Sequence, residues 1–433
     1  MKKVLVITYY WPPSGGAGVQ RWLKFVKYLR GFNWEPVVFC PENPEYPETD
    51  LSLLKDIPKD LEIVTFPIWE PYNVYKKILG QKKEVKINAG FLTETKKNKT
   101  LENFSVWVRG NFFIPDARKF WIQPSVRYLK KYLALHPVDV IVSSGPPHST
   151  HMIAMKLAGF FKLPWLADFR DPWTNIDFYQ DLRLTKWADR KHHQLELKVL
   201  QNASAVSVIS KSMSDDFRRI HNRSFEVITN GFDEDDLPRT ISSVRDQKFS
   251  IAHIGTLVNT RNPLTLWKSL KWMVESNPGF STDLEIKLVG KVDILVTKSI
   301  EEYGLTRFVK KIAYLPHDQV VICQQESQVL LLIINNTPNA KLILTGKFFE
   351  YLAARRPILC IGPDDGDAAA ILHETSSGLL SGFEDVETMK KNLQQLYGDF
   401  ITGNLNVKSE NIEKYSRKEL TGALAGVLNK ISC

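Results

Sequence analysis

Short runs of aliphatic and β-branched residues alternate along this chain with longer stretches whose apolar positions recur every three or four residues. The first pattern predicts buried strands and the second amphipathic helices. In the first half the strand pattern falls at residues 4–9, 36–40, 139–143, 164–167, 205–209 and 225–229. A glycine loop follows the first run, then a helix from about residue 17 to 30, stopped by Gly31. The longest helical pattern covers about residues 182–201. Such alternation predicts a parallel sheet covered on both faces. After a polar stretch the pattern restarts, with strands at residues 250–254, 285–289, 329–334 and 357–361. The reading is therefore two doubly wound α/β domains, residues 1–235 and 248–408, with a hinge near 231–247 and facing crevices that form a cleft. Residues 409–433 read as a helix packing back across the hinge. Residues 68–120, rich in aromatics and lysine, break the alternation and read as an insertion.

Composition narrows the class. With 43% hydrophobic and 24% charged residues the chain matches soluble globular proteins, and no apolar run is long enough to span a bilayer. The apolar start is followed by Trp11 and two prolines where a secretory signal would need small residues, so it reads as a first strand. Cys40, Cys323, Cys360 and Cys433 lack metal-ligand spacing and are expected to be reduced thiols of a cytoplasmic protein. A net charge of +9 suits a phosphate-rich ligand or an anionic membrane surface. The lysines form no block interleaved with aromatics, which speaks against nucleic acid.

Two motifs carry candidate chemistry. In Thr345-Gly-Lys-Phe-Phe-Glu350, Lys347 and Glu350 stand three apart at a predicted helix start, on one face. The cation can meet a phosphate and the carboxylate a pair of sugar hydroxyls, while Gly346 lets a ligand approach the helix N-terminus. An ordinary surface Lys–Glu pair fits the same spacing. The loop Pro12-Pro-Ser-Gly-Gly-Ala-Gly-Val-Gln-Arg21 presents backbone amides to an anion, or is simply a tight strand–helix turn. It is not a dinucleotide fingerprint, because Arg21 holds the third glycine position and no acid closes the second strand.

Four elements in order resemble the family 4 (group 1) glycosyltransferases. They are the Pro-Pro-Ser-Gly-Gly-Ala-Gly loop, Ile228-Thr-Asn-Gly-Phe-Asp233, His253-Ile-Gly-Thr-Leu with Arg261, and Gly346-Lys-Phe-Phe-Glu-Tyr-Leu-Ala-Ala-Arg-Arg-Pro357. Ser144-Gly-Pro-Pro-His-Ser149 and Ala167-Asp-Phe-Arg-Asp-Pro-Trp173 are similar to a bacterial surface-polysaccharide type. The resemblance implies the GT-B fold, two Rossmann-like domains facing each other across a cleft. It implies a retaining hexosyltransferase that needs no metal or other cofactor, a nucleotide-diphosphate sugar donor and a glycan or lipid-linked acceptor. No Asp-X-Asp motif stands where it would hold a metal-bound diphosphate.

By the same resemblance Glu350 binds the ribose hydroxyls, and Lys347 and Arg261 are the diphosphate cations. Thr345 and Gly346 line the donor, and Gly15 and Gly16 close over phosphates and sugar. His148 lies near the reacting sugar, or is a loop histidine without a chemical role. Asp168, Arg170 and Asp171, with Arg21, line the acceptor side, or form an ion-pair network that holds a loop. Leu342 stands where the family has a first glutamate, so the transferred sugar stays open. An epimerase of the same fold and a non-catalytic nucleotide-sugar-binding protein are the alternatives. The first helix, with Trp22, Lys24 and Phe25, and residues 68–120 are expected to meet the inner face of the cytoplasmic membrane; a core role for Trp22 and Phe25 is the other reading.

Overall fold

The computed structural model describes residues 1–45, 49–70, 99–237 and 244–433 and divides into two compact units. The first is Met1–Thr229 with Leu420–Cys433, and the second is Asn230–Glu419. Residues 71–98 of the expected insertion and 238–243 of the expected hinge lie outside the described residues.

The first unit holds β1 (Lys2–Ile7), β2 (Trp34–Pro41), β3 (Glu62–Phe66), β4 (Val140–Gly145), β5 (Trp165–Phe169), β6 (Ala205–Val208) and β7 (Glu226–Val227). They form one parallel sheet in the order β3-β2-β1-β4-β5-β6-β7. The order reverses between β1 and β4, which opens a crevice at their carboxyl ends. β3 was not anticipated: it is an edge strand with Glu62 and Ile63 exposed, so it lacks the continuous apolar run of its neighbours.

Helix Ala17–Leu29 buries Val19, Trp22, Leu23, Phe25, Val26 and Leu29 in the core of this unit. Each large side chain hidden in this way stabilises the fold by about 1.5–3 kcal/mol. This corrects the expectation that Trp22, Lys24 and Phe25 meet a membrane. Trp22 and Phe25 are core, packed edge to face at 5.3 Å, and Lys24 is buried in an ion pair with Asp56 at 2.8 Å. Part of the expected insertion is regular helix, Lys99–Phe112, and a second helix, Lys119–Leu135, begins at its end. The latter buries Trp121, Ile122, Leu129 and Leu133, and Trp121 stacks on Phe39 of β2 at 5.2 Å. Leu420, Leu424 and Leu428 of the C-terminal helix Arg417–Ile431 join the same core, and Asn429 accepts a hydrogen bond from Trp34 Nε1 at 3.1 Å.

The second unit holds β8 (Phe249–Ile254), β9 (Leu284–Val289), β10 (Val309–Ile312), β11 (Val329–Ile333), β12 (Ile358–Ile361) and β13 (Gly378–Ser381). This sheet is also all parallel, in the order β10-β9-β8-β11-β12-β13, and reverses between β8 and β11. Its core gathers Phe249, Trp267, Leu270, Ile286, Leu331, Leu359 and Leu393. The two outer strands escaped the sequence pattern because β10 carries exposed Lys310 and Lys311 and β13 starts at a glycine. Gly378 must lack a side chain, since a Cβ would collide with the Ile358 carbonyl. The two ends of this unit meet: Phe232 pairs with Ser416, donating to the Tyr415 carbonyl at 3.1 Å and accepting from the Arg417 amide at 2.7 Å.

Candidate functional site

The sequence-predicted residues fall into two groups, one at the reversal point of each sheet. Arg261, Thr345, Gly346, Lys347 and Glu350 follow β8 and β11 in the second unit. Gly15, Gly16, Arg21, His148, Asp168, Arg170 and Asp171 follow β1, β4 and β5 in the first.

In the second unit the helix Gly346–Ala353 is amphipathic and short. Phe348, Phe349, Tyr351 and Leu352 turn inward, and the Tyr351 hydroxyl accepts from the Ile254 amide at 3.2 Å, fixing the helix to the end of β8. Its first turn has no side-chain cap and no acidic residue. The buried Thr345 Oγ1 has no hydrogen-bond partner among the described residues. An uncapped N-terminus carries partial positive charge and unsatisfied amides.

Lys347 adds a full charge there. Its ammonium makes no hydrogen bond or ion pair among the described residues, Glu350 included. The spacing of three therefore does not make an ordinary surface pair. Desolvation lowers the Lys347 pKa from 10.5 to about 8, the Arg261 guanidinium pushes it the same way, and Glu350 opposes both. A partly desolvated ammonium without an ion-pair partner is costly, and an arriving anion relieves that cost.

Backbone glycines make the room. Gly255, just past β8, has φ +116°, and a Cβ there would lie 2.9 Å from Lys347 Nζ. Gly290, just past β9, has φ +104° and packs on the Gly255 backbone, 3.1 Å from its oxygen to the added Cβ. Gly255 belonged to a recognised motif, whereas Gly290 gave no signal beyond a glycine closing a strand. His253 is buried at the end of β8, and burial first, then Lys347, lowers its pKa well below the usual imidazole value. Its Nδ1 lies 3.3 Å from the Leu331 carbonyl oxygen. Glu350 is half-buried, and its Oε2 accepts a hydrogen bond from Gln324 Nε2 at 3.2 Å. Sequence reasoning missed Gln324, which stands 26 residues away on another helix.

The first unit's group is organised differently. Arg21 and Asp168 are each 1% exposed and paired at 2.8 Å. Asp168 also accepts from Trp22 Nε1 at 2.8 Å, Ser144 Oγ at 3.1 Å and Ser207 Oγ at 2.8 Å. Burial alone would raise its pKa, but Arg21 and these hydrogen bonds hold it below the usual carboxylate range. Arg21 also donates to the carbonyls of Thr229 at 2.7 Å and Ile228 at 2.9 Å. This pair ties loops and strands together, as the ion-pair-network reading of the sequence expects. Arg170 does similar work: it donates to the carbonyls of Gly18 (2.8 Å) and Pro146, and lies over the Tyr10 ring. Gly18 has no room for a Cβ, which would sit 2.7 Å from Arg170 Nη1. The glycine loop, with Gly15 buried and Gly16 exposed at φ +92°, is thus tethered at its far end.

Two members of this group keep unmet valences. Asp171 is half-buried without a hydrogen bond or ion pair among the described residues, and burial raises its pKa against the pull of Arg170. His148 stacks face to face on Trp173 at 4.2 Å, and its buried Nδ1 has no hydrogen-bond partner among the described residues. Burial lowers the His148 pKa well below the usual value, so it is neutral near pH 7.

No protein-family model matches this sequence, and no curated protein matches it. Solved structures do resemble it in fold. Sucrose-phosphate synthase from Thermosynechococcus elongatus aligns with a TM-score of 0.64 at 14% identity, over 99% of this chain and 99% of that one. WaaG, a glycosyltransferase involved in lipopolysaccharide biosynthesis, aligns with a TM-score of 0.56 at 13% identity, over 98% and 99%. A UDP-N-acetylglucosamine 2-epimerase from Listeria monocytogenes aligns with a TM-score of 0.55 at 11% identity, over 99% and 96%. At these identities the likeness establishes the fold, GT-B with two doubly wound parallel-sheet units.

Proposed function

We propose that this chain is a retaining glycosyltransferase that moves a hexose from a nucleoside-diphosphate sugar to a glycan or lipid-linked acceptor. The observation that carries the reading is Lys347: a half-buried ammonium, without a hydrogen bond or ion pair among the described residues, at an uncapped helix N-terminus, with Arg261 nearby and Glu350 one turn on. Glycosyltransferases of the same fold, one of them acting in lipopolysaccharide biosynthesis, support it at the level of architecture.

In this reading Lys347, Arg261 and the amides of Gly346 and Lys347 hold the diphosphate, with Thr345 Oγ1 as a further contact. Glu350 accepts from the ribose hydroxyls. The bond between the anomeric carbon and the diphosphate oxygen breaks, and its electron pair leaves with the nucleoside diphosphate. Groups aimed at that developing charge lower the barrier. The acceptor oxygen forms the new bond on the same face of the sugar, and its proton passes to the leaving phosphate. The two side-chain cations supply the charge that a metal would otherwise bring, so activity should survive a chelator. The acceptor side is assigned to the first unit. Asp171 offers a carboxylate to acceptor hydroxyls and neutral His148 offers a hydrogen bond to a sugar, while the Gly15–Gly16 loop offers backbone amides.

A lipid-linked acceptor at the inner membrane face fits a patch in the first unit. Trp69 (57% exposed), Phe112 (59%) and Phe120 (44%) lie in the open, Trp69 and Phe120 pack at 5.1 Å, and Lys119 lies over Phe120 at 5.0 Å. Aromatic rings with a cation suit the headgroup layer. No helix among the described residues is long and apolar enough to cross a membrane.

A thermal-shift panel of nucleotide sugars and free nucleoside diphosphates, with and without EDTA, tests the core of this reading, since a ligand of the native state raises apparent stability. Stabilisation by one nucleotide series, unaffected by EDTA, is expected; no shift with any member overturns it. An epimerase of this fold would convert the nucleotide sugar to its epimer with no acceptor and no net release of nucleoside diphosphate, whereas the transferase releases nucleoside diphosphate only when an acceptor is present. Flotation with anionic liposomes at low salt tests the membrane part alone.

A further inference from the structure

We propose that Gln324 is a positioning residue that makes the site selective for a ribose bearing both of its hydroxyls. The inference rests on the nucleotide reading of the Lys347–Glu350 site. Gln324 lies on helix His317–Glu326, is 1% exposed, and donates Nε2–H to Glu350 Oε2 at 3.2 Å. Glu350 has no ion pair among the described residues and no other hydrogen bond to its side chain, so Oε1 is left to a ligand.

The terminal torsion of a glutamate is broad, so a carboxylate held at neither oxygen presents no fixed plane. The amide removes that freedom at one oxygen. Being neutral, it does so without cancelling the negative charge that makes the other oxygen a strong acceptor. A cation in its place would compete with the ligand. A vicinal diol brings two O–H donors, and a carboxylate in a fixed plane can accept both. A 2′-deoxyribose brings one and leaves an acceptor site unmet, which is how a site rejects an analogue lacking a hydroxyl. Holding the carboxylate is also a demand that the helix alone does not meet, because Lys347 does not pair with Glu350.

The test is calorimetric titration with ADP, CDP, GDP and UDP, each beside its 2′-deoxy counterpart. Wild-type protein should prefer the ribo form of whichever base it binds by roughly tenfold or more, the scale of one hydrogen bond to a charged group. Gln324→Met keeps length and removes the donor. It should lose most of that preference while binding the 2′-deoxy form as before. Gln324→Glu keeps the shape, and its preference should return as the pH falls and the new carboxyl gains a proton to donate. A ribo preference unchanged in Gln324→Met overturns the proposal. So does an equal loss for both forms in the two variants, which marks a merely structural role, or a wild type that does not discriminate. A wild type that binds none of the eight nucleotides overturns the nucleotide reading itself, and the inference with it.

Discussion

The two reversal points make an instructive pair. Both sit where a parallel sheet changes direction, and both bring charge out of water. At the first, Arg21 and Asp168 satisfy each other and nearly every remaining valence goes to Trp22, Ser144, Ser207 and two carbonyls. At the second, among the described residues, Lys347 has no ion pair or hydrogen bond and one oxygen of Glu350 accepts none. A charge buried with its complement is architecture. One partly desolvated without its complement weakens the free protein and marks a place where an anion would be favoured.

The sharpest way to break this contrast is to reverse the signs. Asp168→Ala strands Arg21 in the core and should cost about 3–5 kcal/mol in urea unfolding. Lys347→Met removes an unpartnered ammonium, so stability should hold or rise, while nucleoside-diphosphate affinity falls by about 1.5–3 kcal/mol. Were Lys347→Met to lose as much stability as Asp168→Ala, the distinction would fail.

Acidity gives the smaller effect. Lys347 titrates near pH 8 in the free protein, and a bound diphosphate favours its charged form. Affinity should therefore hold below pH 8 and weaken above it, by up to about tenfold per pH unit, as a proton must be taken up on binding. The diphosphate itself is fully ionised above about pH 7, and Arg261 stays charged throughout. The neighbouring groups are His253, already neutral, and Glu350. Titrations from about pH 7 to about 9.5 should show this slope in the wild type and a flat line in Lys347→Met.

Much of the architecture was legible because interior strands of a parallel sheet are apolar on both faces. Runs such as Val4 to Ile7 and Val329 to Ile333 can hardly be read otherwise. What escaped lay at the edges, where β3 and β10 alternate or carry lysines. Trp22 and Phe25 looked fit for a membrane because core and interface use the same residue types; only packing separates them. The Lys347–Glu350 spacing was local and visible. Its partner Gln324 was not, since nothing local announces a contact between residues 26 apart on different helices. Nor could spacing tell that Asp168, 147 residues from Arg21, answers that guanidinium rather than a ligand.

The pairing of Phe232 with Ser416 has an engineering consequence. Residues 230–419 leave and rejoin the rest of the chain through two segments hydrogen-bonded to each other, so their cut ends lie side by side. Domains with adjacent ends can be lifted out or grafted with little disturbance to either piece. The second unit is in effect a removable cartridge. A short bridge from Thr229 to Leu420 would leave the first unit with all of its own strands and core residues.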